Sequence, residues 1–141
     1  MAVGCWVRLV LLHNLGTRRL RNRMAGRCTL AQFDVLAQLA PADGDESGLT
    51  QADLARRLMM SPGNITGLVD RLVRLRWVRR VSSPRDRRSV HIRLTPQGRA
   101  LVAKVLPEYR REAARLFEAL DPIEKAGLEE LLDRVGSAIA E

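Results

Sequence analysis

Apolar residues along this chain recur first at helical spacing, then in strict alternation, then at helical spacing again. Side chains three and four apart share a helix face, and alternate side chains share a strand face. Trp6, Leu9, Val10, Leu15 and Leu20 mark a first helix ending near Met24, its regularity interrupted by Gly16. Thr29-Leu30-Ala31-Gln32 forms a capping box, which predicts a helix to about Ala40 with Phe33, Leu36, Leu39 and Ala40 on one face. Pro41 to Gly48 is a polar breaker carrying Asp43, Asp45 and Glu46, hence a surface loop. Thr50-Gln51-Ala52-Asp53 caps a short helix through Leu58. Ser61-Pro62 restarts helix at once, with Ser as N-cap and Pro at the first helical position. Ile65, Leu68, Val69, Leu72 and Leu75 carry that helix to about Arg76.

From Trp77 the period becomes two. Ser89 to Leu94 alternates strictly, Val78 to Ser82 less cleanly, and Ser83-Pro84-Arg85-Asp86 supplies a turn between them, so a two-stranded hairpin is expected. Thr95-Pro96 repeats the cap-then-proline signal, and Leu101, Val105, Tyr109, Ala113, Leu116 and Leu120 trace a long helix. Pro107 falls inside it and is expected to kink it. Asp121-Pro122-Ile123-Glu124 opens a last helix with Leu128, Leu131, Leu132, Val135 and Ile139 on its face.

The fold class is therefore mainly α with a small β hairpin. A short helix, a tight turn, a second helix and a hairpin, in that order, make a winged helix-turn-helix, whose second helix fits a major groove and whose hairpin reaches an adjacent minor groove. The first turn of that second helix reads Ser61, Pro62, Gly63, Asn64, Ile65 and Thr66. Short polar side chains and Gly let a helix N-terminus approach base edges and phosphates, and its dipole favours phosphate.

Charge sharpens this reading. The 141 residues carry 24 Lys+Arg against 16 Asp+Glu, a formal net charge of +8. Arg71 to Pro96 alone holds nine Arg against one Asp, a surplus as large as that of the whole chain. All but Lys104 and Lys125 of the basic residues are Arg, whose planar fork grips phosphate. The length fits one domain, residues 1–141, large enough to bury a core without disulfide or metal. No apolar run approaches the length of a membrane span, Arg8 breaks the apolar Cys5 to Leu12 stretch, and two cysteines make no disulfide framework, so a cytoplasmic protein without membrane contact is expected.

The segment Leu49 to Gly98, L-T-Q-A-D-L-A-R-R-L-M-M-S-P-G-N-I-T-G-L-V-D-R-L-V followed by P-R-D-R-R-S-V-H-I-R-L-T-P-Q-G, resembles the MarR family of bacterial and archaeal transcriptional regulators. The likeness extends more weakly to the flanking helices. It implies a DNA-binding lobe over residues 30–96, dimerisation helices over 1–28 and 97–141, and an intertwined homodimer on a pseudo-palindromic operator of double-stranded DNA. Such members mostly repress transcription until a small aromatic or anionic effector, or an oxidant, releases them. Carried over residue by residue, the DNA-binding positions are Ser61, Pro62, Gly63, Asn64, Thr66, Gly67 and Arg71 on the recognition helix. In the wing they are Asp86, Arg87 and Arg88, the acid holding the wing and Arg88 entering the minor groove. Many members place Gly where this chain has Arg76, so a different helix exit is expected here.

Other chemistry finds little support. His13 and His91 lie far apart in the chain, and no metal-ligand, phosphate-loop or nucleophile-elbow motif occurs, so neither enzyme, cofactor nor metal is expected. In the family the effector pocket lies between the dimer helices and the DNA-reading lobe. Trp6, His13 and Phe33 are candidates for lining it, with core packing the expected role of each. Peroxide-sensing members carry a reactive thiol early in the first helix, supported by tyrosines; this chain has one tyrosine, Tyr109, and Cys5 is expected to be a small buried residue. The alternatives to a ligand-responsive repressor are a winged-helix module that binds protein or RNA without operator specificity, and a redox regulator using Cys5.

Overall fold

The computed structural model describes residues 1–41, 48–82 and 89–140 of the chain. Among the described residues six α-helices and three short strands follow one another: α1 (Ala2–Met24), α2 (Leu30–Leu39), β1 (Leu49–Thr50), α3 (Gln51–Arg57), α4 (Pro62–Arg74), β2 (Val78–Ser82), β3 (Val90–Leu94), α5 (Pro96–Leu116) and α6 (Pro122–Ala140).

Local capping chemistry sets most boundaries. Thr29, Thr50, Ser61 and Thr95 each take extended backbone and accept a hydrogen bond from the amide three residues on, which satisfies one of the orphan donors at a helix start. At Thr29 and Thr50 the box is reciprocal, with Gln32 and Asp53 reaching back to the cap amides.

The hairpin is one strand larger than its sequence suggests. β3 lies between β2 and β1 in an antiparallel sheet of order β1-β3-β2, with Leu49 opposite Ile92 and Thr50 opposite His91. The extra strand has only two residues, too few to show an alternation. α5 stops at Leu116, not Leu120, and runs through Pro107.

One apolar core joins α2, α3, α4, the sheet and the start of α5. Leu36, Leu54, Val69, Leu72 and Ile92 are fully buried in it. Each such side chain contributes about 1.5–3 kcal/mol relative to exposure. A smaller cluster of Met24, Phe33 and Val105 ties the end of α1 to α2 and α5, with Tyr109 stacked at a tilt on Phe33, ring centroids 5.0 Å apart. Gly16 lets α1 close on α5, since a Cβ there would stand 3.1 Å from Leu116 Cδ1. Farther along the same interface the buried Glu112 carboxylate accepts from Arg23 at 3.2 Å and Arg115 at 3.4 Å, and Arg27 pairs with Glu108 at 2.5 Å. That contact holds the Glu108 carboxyl below its usual range and raises Arg27.

The front of α1 and most of α6 have no such cover. Val3, Trp6, Val7, Leu11 and Leu15 on α1, and Ile123, Leu131, Val135 and Ile139 on α6, are exposed large apolar side chains.

Candidate nucleic-acid interface

α4 presents two unlike faces. Ile65, Val69 and Leu72 are buried, while Ser61, Pro62, Gly63, Asn64, Thr66, Gly67 and Arg71 are all exposed, as is Arg74. At 100° per residue Gly63, Gly67, Arg71 and Arg74 form one strip, with Asn64 along one flank and Thr66 and Asp70 along the other. A Cβ at Gly63 or Gly67 would meet no atom within 4 Å. The protein's own packing therefore does not require either glycine, although Gly within a helix costs about 1 kcal/mol relative to Ala. The strip is thin where an external surface would have to come close, and cationic at its far end.

The ends of α4 are held by backbone bonds. Ahead of it, Met60 N–H donates to Ala55 C=O at 2.9 Å and Met59 N–H to Arg56 C=O at 3.3 Å. Behind it, Trp77 N–H donates to Leu72 C=O and Arg76 N–H to Val73 C=O, at 3.0 and 2.9 Å. Both are Schellman closures, and both put a non-glycine residue in the left-handed region, Met59 at φ 52° and Arg76 at φ 59°. The altered exit expected at Arg76 is thus not found: the arginine adopts the conformation a glycine would take more cheaply. The start of α5 seats directly on this exit. Thr95 Oγ1 donates to Arg76 C=O at 2.6 Å, Thr95 N–H to Trp77 C=O at 3.0 Å, and a Cβ at Gly98 would fall 2.0 Å from that same Trp77 oxygen.

A polar relay runs beside the strip. Thr66 Oγ1 donates to Pro62 C=O at 2.8 Å and accepts from Gln51 Nε2 at 3.1 Å. The Gln51 side-chain oxygen Oε1 accepts from Arg80 Nη2 at 3.0 Å, and the same nitrogen donates to Asp70 Oδ1 at 2.6 Å. Gln51, Asp70, Arg74 and Arg80 escape a reading of the sequence. Arg74 sits three residues after Arg71 on the same face, a signal the spacing carries; the contacts of Gln51 and Arg80 span elements and leave no local pattern.

Asp86, Arg87 and Arg88 lie outside the described residues, as do Asp43, Asp45 and Glu46. Trp6 and His13 are exposed on α1 rather than packed in a core, because no other described element covers that stretch, whereas Phe33 is buried with Met24 and Val105. The structure does not gather the three. Cys5, expected to be buried, is exposed for the same reason as Trp6; Cys28 is half-buried, which pushes its thiol up, with Arg27 opposing. His91 is partly covered, its Nε2 2.9 Å from Ser89 Oγ.

A model described as MarR family matches residues 29–89, which take in α2, β1, α3, α4 and β2 and stop just before β3. E. coli MarR in its apo form superposes with a TM-score of 0.73 at 30% identity, over 91% of this chain and 94% of that one. This chain belongs to the MarR family. A cysteine-to-serine variant of E. coli MarR complexed with operator DNA aligns with the MarR-family chain at TM-score 0.81 and 28% identity, over 96% and 94% of the two. The regulator PecS of Dickeya dadantii is 34% identical over 104 residues, 74% of this chain but 62% of PecS's length. BpsR of Bordetella bronchiseptica, whose DNA binding is regulated by 6-hydroxynicotinic acid, matches at TM-score 0.80 and 26% identity, covering 95% and 92%. Among the described residues no helix is long and apolar enough to cross a membrane.

Proposed function

We propose that this protein is a sequence-specific, non-enzymatic DNA-binding transcriptional regulator, a ligand-responsive repressor that acts in the cytoplasm as a homodimer on a pseudo-palindromic operator. The observation that carries the reading is the open strip on α4. Two glycines that internal packing does not need are flanked by Asn64, Arg71 and Arg74, all exposed. Missing side chains let a helix sink into a groove, amides and guanidinium groups supply base-edge and phosphate contacts, and a duplex is the partner that uses all three. The likeness to MarR in its operator complex supports the same orientation.

In this reading residues 30–96 are the DNA-reading lobe. Ser61, Pro62, Gly63, Asn64, Thr66, Gly67 and Arg71 lie at the major groove, and Asp86, Arg87 and Arg88 are the further DNA-binding residues. Residues 1–28 and 97–141 join two copies, covering the apolar faces of α1 and α6 and setting the two reading helices about one DNA turn apart. The effector is a small aromatic or anionic molecule, as the regulation of BpsR suggests; it releases DNA only by binding the non-DNA-competent arrangement more tightly.

Footprinting on the DNA upstream of its own gene, followed by anisotropy titration, tests this function. A protected pseudo-palindrome is expected. Its affinity should fall by roughly 10³ to 10⁵ between about 50 and 200 mM salt if about 6 to 10 phosphates are contacted. No protected site and a flat salt response would instead favour a protein-binding winged helix.

A further inference from the structure

The relay beside the reading strip joins three elements that a duplex would touch separately. Thr66 and Asp70 stand one turn apart on α4; Gln51 is the first residue of α3; Arg80 is central in β2, the strand that leads into the wing. Gln51 holds Thr66 by its amide nitrogen and Arg80 by its amide oxygen, and Arg80 closes the circuit on Asp70. Neither end of Gln51 is left over, and the Thr66 hydroxyl has spent its proton on Pro62. Arg80 is not a spare cation either, because its guanidinium is already matched by a carboxylate on the reading helix.

We propose that Gln51 and the Arg80–Asp70 pair form a clamp that fixes the angle between the reading helix and the wing strand, making Gln51 and Arg80 positioning residues for operator recognition that need touch neither base nor phosphate. This inference rests on the DNA-reading function proposed above.

Operator recognition demands that α4 and the hairpin be seated in their grooves together. Hydrogen bonds to base edges weaken steeply with small errors of distance and angle. Attraction to phosphate is long-ranged and tolerates them. A loosened clamp therefore costs discrimination and leaves general affinity for DNA nearly untouched. A guanidinium that bound phosphate directly would do the reverse, weakening every duplex alike and shallowing the salt dependence by about one unit.

The experiment compares Gln51→Leu, Arg80→Gln, Arg80→Lys and the double variant Gln51→Leu/Arg80→Gln in the full-length chain. The probes are the footprinted operator and a random duplex of equal length, titrated at several salt concentrations, with a thermal melt of each variant. Each of the two disabling single variants is expected to lose about tenfold in operator affinity while its random-duplex affinity and salt slope hold. The double variant should be little worse than either single, since both break one circuit. Arg80→Lys, which can still reach Asp70, should recover part of the loss, a rescue that general destabilisation would not give. Equal losses on both duplexes with a shallower slope would make Arg80 a phosphate contact and overturn the clamp. So would strictly additive losses, or variants that discriminate as well as the parent. A parent chain that bound all duplexes equally would overturn the DNA-reading function itself and the clamp with it.

Discussion

The Trp77 amide donates to the Leu72 carbonyl at 3.0 Å across Arg76, which the closure holds at φ 59°. A side chain in the left-handed region costs on the order of 1 kcal/mol relative to glycine. Arg76→Gly is therefore expected to stabilise the protein by about 1 kcal/mol in urea unfolding, and the β-branched Arg76→Val to destabilise it. A stabilising Val would show that the exit of α4 is not held this way in solution.

Gly67 sets stability against function. Because a Cβ there meets no atom within 4 Å, Gly67→Ala should raise the unfolding free energy by about 0.5–1 kcal/mol. The same methyl intrudes between α4 and the groove, so affinity for the operator should drop at least several-fold in the same protein. A variant that gains stability and keeps full affinity would place the close approach elsewhere.

Base reading and phosphate grip should separate by residue. Asn64→Ala is expected to cost about 1–3 kcal/mol on the operator with little change on random duplex. Arg71→Ala and Arg88→Ala should weaken both duplexes and shallow the salt slope by roughly one unit per monomer for each phosphate lost. Anisotropy at fixed salt decides: if Arg88→Ala leaves both affinities intact, Arg88 does not contact DNA.

Asp34 should make stability depend on pH. Burial raises its carboxyl above the usual range, and it has no hydrogen-bond partner among the described residues; the nearby Tyr109 phenol is raised as well, by burial first and by Asp34 second. A carboxyl whose folded value exceeds its unfolded one binds its proton more tightly when folded. Stability from this group is thus fully present below the unfolded value and lost as pH rises through the raised folded value. Asp34→Asn should stabilise the protein at pH 7, with the gain vanishing in acid. Thermal melts from pH 3 to about 7 check the trend, and a gain that grew toward low pH would contradict it.

Dimerisation should depend on the exposed apolar faces. Leu131→Asp together with Val135→Asp is expected to turn a dimer into a monomer at micromolar concentration in sedimentation, and to weaken operator binding far more than random-duplex binding. A parent chain that sediments as a monomer with and without DNA would rule the dimer out.

What could be read ahead of the structure was whatever chemistry is local. Thr29, Thr50, Ser61 and Thr95 announce their helices because a cap and its target amide lie three residues apart. Ile65, Val69 and Leu72 show the buried side of α4 for the same reason, and the strip opposite follows from them. β1 could not be read, since its evidence is the pairing of Leu49 with Ile92 across two helices and a strand. Nor could the circuit through Gln51, Thr66, Asp70 and Arg80, whose members look like ordinary surface residues until folding brings them together. The exposure of Trp6 and His13 is illegible on a different account: amphipathic spacing says that a face will be covered without saying whether the cover belongs to the same chain. The end of α5 was read too far because Leu120 continues the spacing after the backbone has left the helix.

The front of α1 has a consequence beyond DNA. Its only buried residues are Gly16, Leu20 and Met24, so the apolar side chains ahead of Gly16, Trp6 and Leu11 among them, are offered to water. Exposed apolar surface is what chaperones and proteases use to sort unfinished chains from finished ones. A newly made copy that has not met another would carry that mark in the open, and pairing would erase it. The amount of regulator in the cell would then be set by how fast copies find one another as well as by how fast they are made, and a scarce chain would be cleared sooner than an abundant one.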